Sequence, residues 1–289
     1  MSHLFCFGLG YTAQALARPL LQAGWRVGGT ARSVEAVAKL RAAGFDAFVF
    51  DGETHVDAVQ AALAGATHVL TSAPPDARGD PVLRVYGSDV LAVPQLRWAG
   101  YLSTVGVYGN THGGWVDEAS DVSGDFDRTR WRIAAERSWL DTLRSAKRQA
   151  QVFRLAGIYG PGRSAFDSLR SGRAQRIVKP GQVFNRIHVD DIARIVAAAM
   201  SGRGAHDIYN VADDEPAPPQ DVITYAADLI GMTPPAEIAF EDAPLSPMAR
   251  SFYESNRRVS NARLKGDLGV ELRYPNYRDG LRGILAAGT

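Results

Sequence analysis

The chain has 289 residues, 46% hydrophobic and 22% charged, with 32 basic against 31 acidic side chains and a formal net charge of +1. That length allows one large α/β unit or two linked subdomains, and the composition excludes wholesale disorder, collagen and a long coiled coil. Near neutrality removes the basic excess of a nucleic-acid or anionic-membrane binder, so the expected partner is a small molecule, with no nucleic acid and no membrane.

The predicted elements begin with a short apolar strand at Leu4–Phe7, then a helix over Ala13–Ala23 and a strand over Trp25–Thr30. A helix over Ser33–Ala43, a strand over Ala47–Phe50, a helix over His55–Leu63 and a strand over His68–Thr71 continue the alternation. Strands alternating with amphipathic helices make βαβ units and a parallel sheet. Tyr101–Thr104 reads as a further strand, Arg130–Leu143 as an arginine-rich helix and Ala150–Leu155 as another strand. The expected fold is therefore α/β, a Rossmann-type doubly wound parallel sheet over residues 1–160. After Gly160-Pro161-Gly162 the segments lengthen, with helices expected at Val189–Met200, Gln220–Leu229 and Asn261–Leu268 and a strand at Asp207–Val211. Residues 161–289 read as a smaller C-terminal α/β cap subdomain, with segments near 186–212 returning to the first sheet.

Cys6 is the single cysteine, which forbids an internal disulfide and any multi-cysteine metal site. A reducing, cytoplasmic setting fits. The first residues carry no cationic leader, so no signal peptide is expected, and no apolar stretch reaches membrane-spanning length. Arginine outnumbers lysine 28 to 4, which leaves lysine-type roles open to arginine.

Gly8-Leu9-Gly10-Tyr11-Thr12-Ala13 follows the first strand and opens the first helix, giving G-x-G-x-x-A in the setting that a dinucleotide site requires. The first glycine permits the tight turn, the second lets backbone approach a diphosphate, and the small third residue lets helix pack on strand. Free amides at the helix start then face the anion. S-adenosylmethionine enzymes also use a glycine-rich first turn, so the second strand is the next test. It ends Thr30-Ala31-Arg32-Ser33, with an arginine where NAD-preferring sites place an acid. NADP is the expected cofactor, with NAD possible. Asp51, closing the third strand, fits two roles equally: acceptor for an adenine amino group, or cap of its own turn. Ser72, Ala73 and Pro74 end the fourth strand at the same sheet edge and are expected to shape the cofactor pocket.

Taken together, the residues resemble the short-chain dehydrogenase/reductase superfamily in its extended, NAD-dependent epimerase/dehydratase-like branch. Tyr101-Leu102-Ser103-Thr104-Val105-Gly106-Val107-Tyr108-Gly109 is similar to the family's catalytic serine/threonine strand with its V-Y-G ending. Arg154 through Gly162 resembles its R-x-x-x-x-Y-G-P-G turn, His188-Val189-Asp190-Asp191 its H-V-D-D segment, and Tyr209-Asn210-Val211 its Y-N-V strand. The resemblance implies a Tyr-x-x-x-Lys pair, and here the chain departs from it. None of the ten tyrosines has lysine four residues on. Placing the family's helix motif on Ala134-Ala135-Glu136 sets Arg132 at the lysine position and Arg128 at the tyrosine position. An arginine stays protonated and cannot alternate as acid and base, although Arg132 could bind ribose or phosphate. The pattern resembles atypical members that keep the cofactor domain without the standard pair.

Two hydroxyls could carry chemistry instead. Thr104 could orient a substrate carbonyl or simply bond backbone, and Tyr108 could donate a proton or be a packed ring. His188 beside two acids reads as a helix-start cap in preference to a metal ligand, so no metal is expected. Arg163, Arg170, Arg173, Arg176, Lys179 and Arg186 form a solvated face or meet an anionic substrate. The expected activity is that of an NADP(H)-dependent oxidoreductase or epimerase-like enzyme on a small polar, possibly anionic, substrate. The alternative is a noncatalytic NADP(H)-binding sensor, and a methyltransferase is a more distant third.

Overall fold

The computed structural model describes residues 1–288 and builds a seven-stranded, all-parallel sheet. Its first half consists of β1 (His3–Phe7), α1 (Tyr11–Gln22), β2 (Arg26–Ala31), α2 (Val34–Ala42), β3 (Asp46–Val49), α3 (Asp57–Ala64), β4 (His68–Thr71), α4 (Pro81–Ala92) and β5 (Trp98–Thr104). β6 (Trp115–Val116), α5 (Asp127–Ser145), β7 (Ala150–Leu155) and β8 (Gly157–Tyr159) follow. Then come α6 (Ala165–Arg170), β9 (Arg176–Val178), β10 (Arg186–His188), α7 (Val189–Met200) and β11 (Ile208–Val211). The C-terminal stretch adds α8 (Pro219–Leu229), β12 (Glu237–Ala239), α9 (Pro247–Tyr253), β13 (Arg258–Val259), α10 (Ala262–Leu268) and α11 (Tyr277–Ala286).

The sheet order β3-β2-β1-β4-β5-β7-β11 reverses direction at β1, and the crevice beyond the strand ends at such a reversal is where doubly wound folds bind ligands. The central strands are buried on both faces: every residue of β1 and β7 lies in the core, as parallel strands covered by helices require. α7 packs its Ile192, Ile195, Val196 and Ala199 face into the layer that also holds α1. Between β4 and β5 the structure has α4, which the periodicity alone does not announce. Asp80-Pro81 is its start signal, since the Asp80 carboxylate accepts from Val82 N and Leu83 N at 2.9 Å and Pro81 occupies the first turn.

Three small two-stranded pairings lie outside the main sheet, β10 with β8, β12 with β9, and β13 with the earlier β6, beside a separate apolar cluster around Phe166, Val222, Tyr277 and Leu281. β11 returns to the main sheet beside β7. Among the described residues no helix is long and apolar enough to cross a membrane.

Candidate cofactor and substrate site

The glycine-rich turn is held from two sides. Gly8 sits at φ +87°, donates its N–H to Thr30 Oγ1 at 3.0 Å and accepts from Ser72 Oγ at 2.5 Å. Leu9 N bonds the Thr30 carbonyl at 2.7 Å. The strand ends of β1, β2 and β4 are thereby stitched into one rim. A Cβ on Gly8 would meet Ser72 Oγ at 2.7 Å, so fold geometry alone demands glycine there.

Gly10 differs. Its φ of −88° suits any residue, and a Cβ added to it would meet nothing within 4 Å. It caps α1 with no side-chain bond to the helix amides, so the first amides of the helix, those of Tyr11, Thr12 and Ala13, have no intrahelical acceptor and stand at the positive end of the helix dipole. The structure gives no packing reason for glycine at this position. A diphosphate against the backbone supplies one, so the residues present fit a dinucleotide. Tyr11 leans across to Pro161, its hydroxyl 3.1 Å from that carbonyl, and Arg163 stands 5.9 Å above the Tyr11 ring. Ala13 is buried against the core.

Along the rest of the rim the predicted residues divide. Arg32 is exposed just beyond β2 and has no side-chain partner among the described residues. Ser33 uses its hydroxyl to cap α2 through Ala36 N at 3.2 Å. Asp51 accepts from Glu53 N and Thr54 N, each at 2.8 Å, and from Thr54 Oγ1 at 3.0 Å. These bonds cap the turn and hold its carboxyl below the usual carboxylate range. Ser72, Ala73 and Pro74 leave β4 beside Gly8.

Beyond the ends of β5 and β7 lies an open cavity of about 830 Å³, lined on one side by α9. Thr104 lines it, and its Oγ1 accepts from Gly106 N at 3.1 Å, which leaves the hydroxyl proton available. Arg132 lines it from α5, donating to the Tyr101 hydroxyl and the Leu102 carbonyl at 3.0 Å each. Arg128 lines it one turn earlier, donating to Ser251 Oγ at 2.8 Å, with the Phe126 and Phe252 rings 5.2 and 4.9 Å from its guanidinium. It thereby ties α9 to α5. Both positions of the missing pair therefore face one cleft, as residues four apart on a helix should.

Tyr108 does not join them, and its reading as a proton donor is corrected. Its side chain is 2% exposed, donates to Asn210 Oδ1 at 2.7 Å and accepts from Arg154 Nη1 at 2.9 Å. Burial pushes its phenol up from the usual range. Arg154 in turn meets Glu136 at 2.8 Å, and Glu136 accepts the Ser103 hydroxyl. This buried network links β5, α5, β7 and β11 and stabilises the sheet edge under the cavity. Sequence reasoning missed it because its members lie on four separate elements. The phenols on the cavity wall are instead Tyr159 and Tyr253. Burial raises the Tyr253 phenol and the Arg186 charge opposes that. His188 caps α7 by accepting from Asp190 N at 3.2 Å, packed between Tyr159 and Tyr274.

No protein-family model matches the chain. A 3-diazoavenalumate denitrifying reductase from a Streptomyces species is 30% identical over 141 residues, a segment spanning 45% of this chain and 45% of that protein. Among solved structures, a conserved protein of unknown function from Silicibacter pomeroyi DSS is 48% identical, with a TM-score of 0.90 over 100% of this chain and 99% of the other. A protein assigned as an NAD-dependent epimerase/dehydratase from Methylobacillus flagellatus is 25% identical, with a TM-score of 0.74 over 99% and 98%. The fold recurs at 17% identity and a TM-score of 0.71, over 99% of both chains, in human epimerase family protein SDR39U1 with NADPH.

Proposed function

We propose, from the premise that this chain belongs to the NAD-dependent epimerase/dehydratase-like branch of the extended and atypical short-chain dehydrogenases/reductases, that it is an NADP(H)-dependent oxidoreductase. Its substrate is a small polar molecule in the cavity beneath α9, and it works without Tyr-x-x-x-Lys. The observation that carries the reading is Gly10, a glycine required by neither backbone nor packing, at the open start of α1.

In this reading the turn from Gly8 to Ala13 holds the diphosphate, and Ser72, Ala73 and Pro74 border the cofactor. Arg32, free at the end of β2, takes a 2′-phosphate and so favours NADP(H) over NAD(H). When bound, the nicotinamide supplies or accepts hydride. Thr104 presents its free hydroxyl proton to a substrate oxygen, while its Oγ1 accepts from the Gly106 N–H. Arg132 keeps a fixed positive charge beside that oxygen and orients it, and Tyr253 is the proton donor on the wall. Deuterium carried from labelled NADPH into a recovered product, across a panel of carbonyl compounds, tests the reading.

One observation favours a second reading, that of a nucleotide-binding sensor. Both pair positions are arginines, and the Tyr108 phenol is locked in the core. Tight NADPH binding with no deuterium transfer to any panel member would favour it.

A further inference from the structure

The cavity beneath α9 is lined by four arginines, Arg128, Arg132, Arg186 and Arg257, and by no aspartate or glutamate. Their side-chain bonds go to neutral oxygens. Arg128 and Arg132 use the hydroxyls and the carbonyl already described. Arg186 donates to the carbonyls of Phe184 and Ala217 at 2.9 and 3.0 Å, and Arg257 to those of Gly109 and Val105 at 2.6 and 3.3 Å. Among the described residues none of the four forms an ion pair. Elsewhere the chain neutralises a buried guanidinium directly, as Glu136 does for Arg154 at 2.8 Å.

Arg186 and Arg257 are the pair on which burial acts most, holding both guanidinium groups below their usual range. Asp213 influences Arg186 from outside ion-pair distance. It is itself 2% exposed with one oxygen unpartnered, and burial favours its neutral form. Asp125 influences Arg257 but is exposed and bonds Asn110 N and Ser123 Oγ. Both arginines are half-buried; a partly desolvated cation bonded only to neutral dipoles is costly, and an anion brought to it offsets that cost.

Asn185 ties the two segments together. It immediately precedes β10, and its side chain donates to the Arg257 carbonyl at 3.0 Å and accepts from Val259 N at 2.8 Å, so both arginines reach the one cavity. Around them the wall is largely apolar, with Phe126, Phe184 and Phe252 among its residues.

We propose that Arg186 and Arg257 form an anion subsite that takes the carboxylate or phosphate of an organic anion, whose apolar body lies against Phe126, Phe184 and Phe252. Guanidinium forks suit both headgroups. The proposal rests on reading the cavity as the substrate pocket. It places the anion away from the start of α1, where the cofactor diphosphate belongs.

The test is calorimetric titration of the full chain, saturated with NADPH, using 2-naphthoate, 2-naphthyl phosphate and uncharged 2-naphthamide. At least one anion should bind roughly tenfold or more tightly than the amide, and the tighter of the two identifies the headgroup. Arg186→Gln and Arg257→Gln should each weaken that anion by about tenfold while leaving the amide unchanged. Arg257→Lys, which keeps the charge and loses the fork, should recover part of the affinity. Should Arg186→Gln fail to fold, the anion-against-amide comparison on the unmodified protein and the Arg257 variants still decide. Equal affinity for anions and amide, or no binding of either anion, overturns the subsite. If NADPH fails to bind while the anion preference remains, the oxidoreductase reading falls and the subsite stands.

Discussion

Ser72 donates its hydroxyl to the Gly8 carbonyl at 2.5 Å, and the same oxygen lies 2.7 Å from where a Cβ on Gly8 would stand. The strand-end turn is thus closed around a missing side chain, whereas two residues on, Gly10 has only empty space at that position. The two glycines should therefore fail differently. Gly8→Ala combines a clash with φ +87° and should cost about 1–3 kcal/mol of stability, read by urea denaturation. Gly10→Val should abolish nucleotide binding at a cost of no more than about 1 kcal/mol, the difference in capping preference at that position. Retained NADPH affinity in Gly10→Val would show that the turn holds no diphosphate.

Arg32 extends from the end of β2 with no carboxylate partner among the described residues. NADP(H) should bind at least about tenfold more tightly than NAD(H), a difference of about 1.4 kcal/mol, and Arg32→Asp should invert the order. Equal calorimetric affinity for both nucleotides in the unmodified protein would remove Arg32 from the site.

The local signals were readable where the chain's own neighbours decide the outcome. The alternation from β1 to β4, the turn at Gly8–Ala13 and the helix carrying Arg132, expected from Arg130 and found to begin at Asp127, follow from periodicity and turn chemistry over short spans. α4 carries its own local start signal in Asp80-Pro81, though no apolar periodicity marks the helix. What could not be read is what long-range contacts decide. Tyr108 and Thr104 lie four residues apart in one motif, yet Asn210, 102 residues away, draws the phenol into the core. Arg257 and Tyr253 come from a stretch with no motif, brought to the cavity wall by Asn185 and by α9. Nothing in their immediate sequence announces a pocket.

Because Tyr108 bonds both Asn210 and Arg154 in the core, Tyr108→Phe should act on stability and not on chemistry. It leaves a buried donor and a buried acceptor without their partner, at about 1–3 kcal/mol. Tyr253→Phe should do the reverse, lowering kcat by roughly a hundredfold with the denaturation midpoint unchanged. A Tyr253→Phe enzyme of full turnover would sink that assignment.

His188 gives a pH dependence. Burial lowers its imidazole from 6.5 to about 4, with Asp190 opposing the shift and Arg273 adding to it. The unfolded chain therefore binds the proton first as pH falls. The contribution is fully present above pH 6.5 and is lost progressively as pH drops towards 4, by up to about 3 kcal/mol. Asp191 and Asp213, both raised by burial, act in the opposite sense, so the useful quantity is a difference. The stability gap between the unmodified protein and His188→Asn should narrow between pH 7 and pH 5, measured by urea denaturation. A gap constant over that interval would mean the imidazole charges in the folded protein as readily as in the unfolded one.

The last prediction concerns the arginines at the positions of the absent pair. Arg128 and Arg132 line the same cavity, and Thr104 lines it too with its hydroxyl proton free. Arg132→Lys keeps the charge while giving up the bonds to Tyr101 and Leu102, and Arg128→Tyr places a phenol one turn away, where a lysine charge lowers its pKa. Arg128→Tyr also removes the bond to Ser251 that ties α9 to α5, so the single variant should bind NADPH with a looser α9 and show no new reduction. The double variant should reduce simple carbonyl compounds weakly, at a rate exceeding the sum of the two single variants, because the phenol and ammonium act as one unit. Deuterium transfer from labelled NADPH separates this from background reduction. If the double variant binds NADPH and its rate stays at that of the unmodified protein, then Thr104 and the cofactor do not meet in this cavity, and the sensor reading gains the ground that the oxidoreductase reading loses.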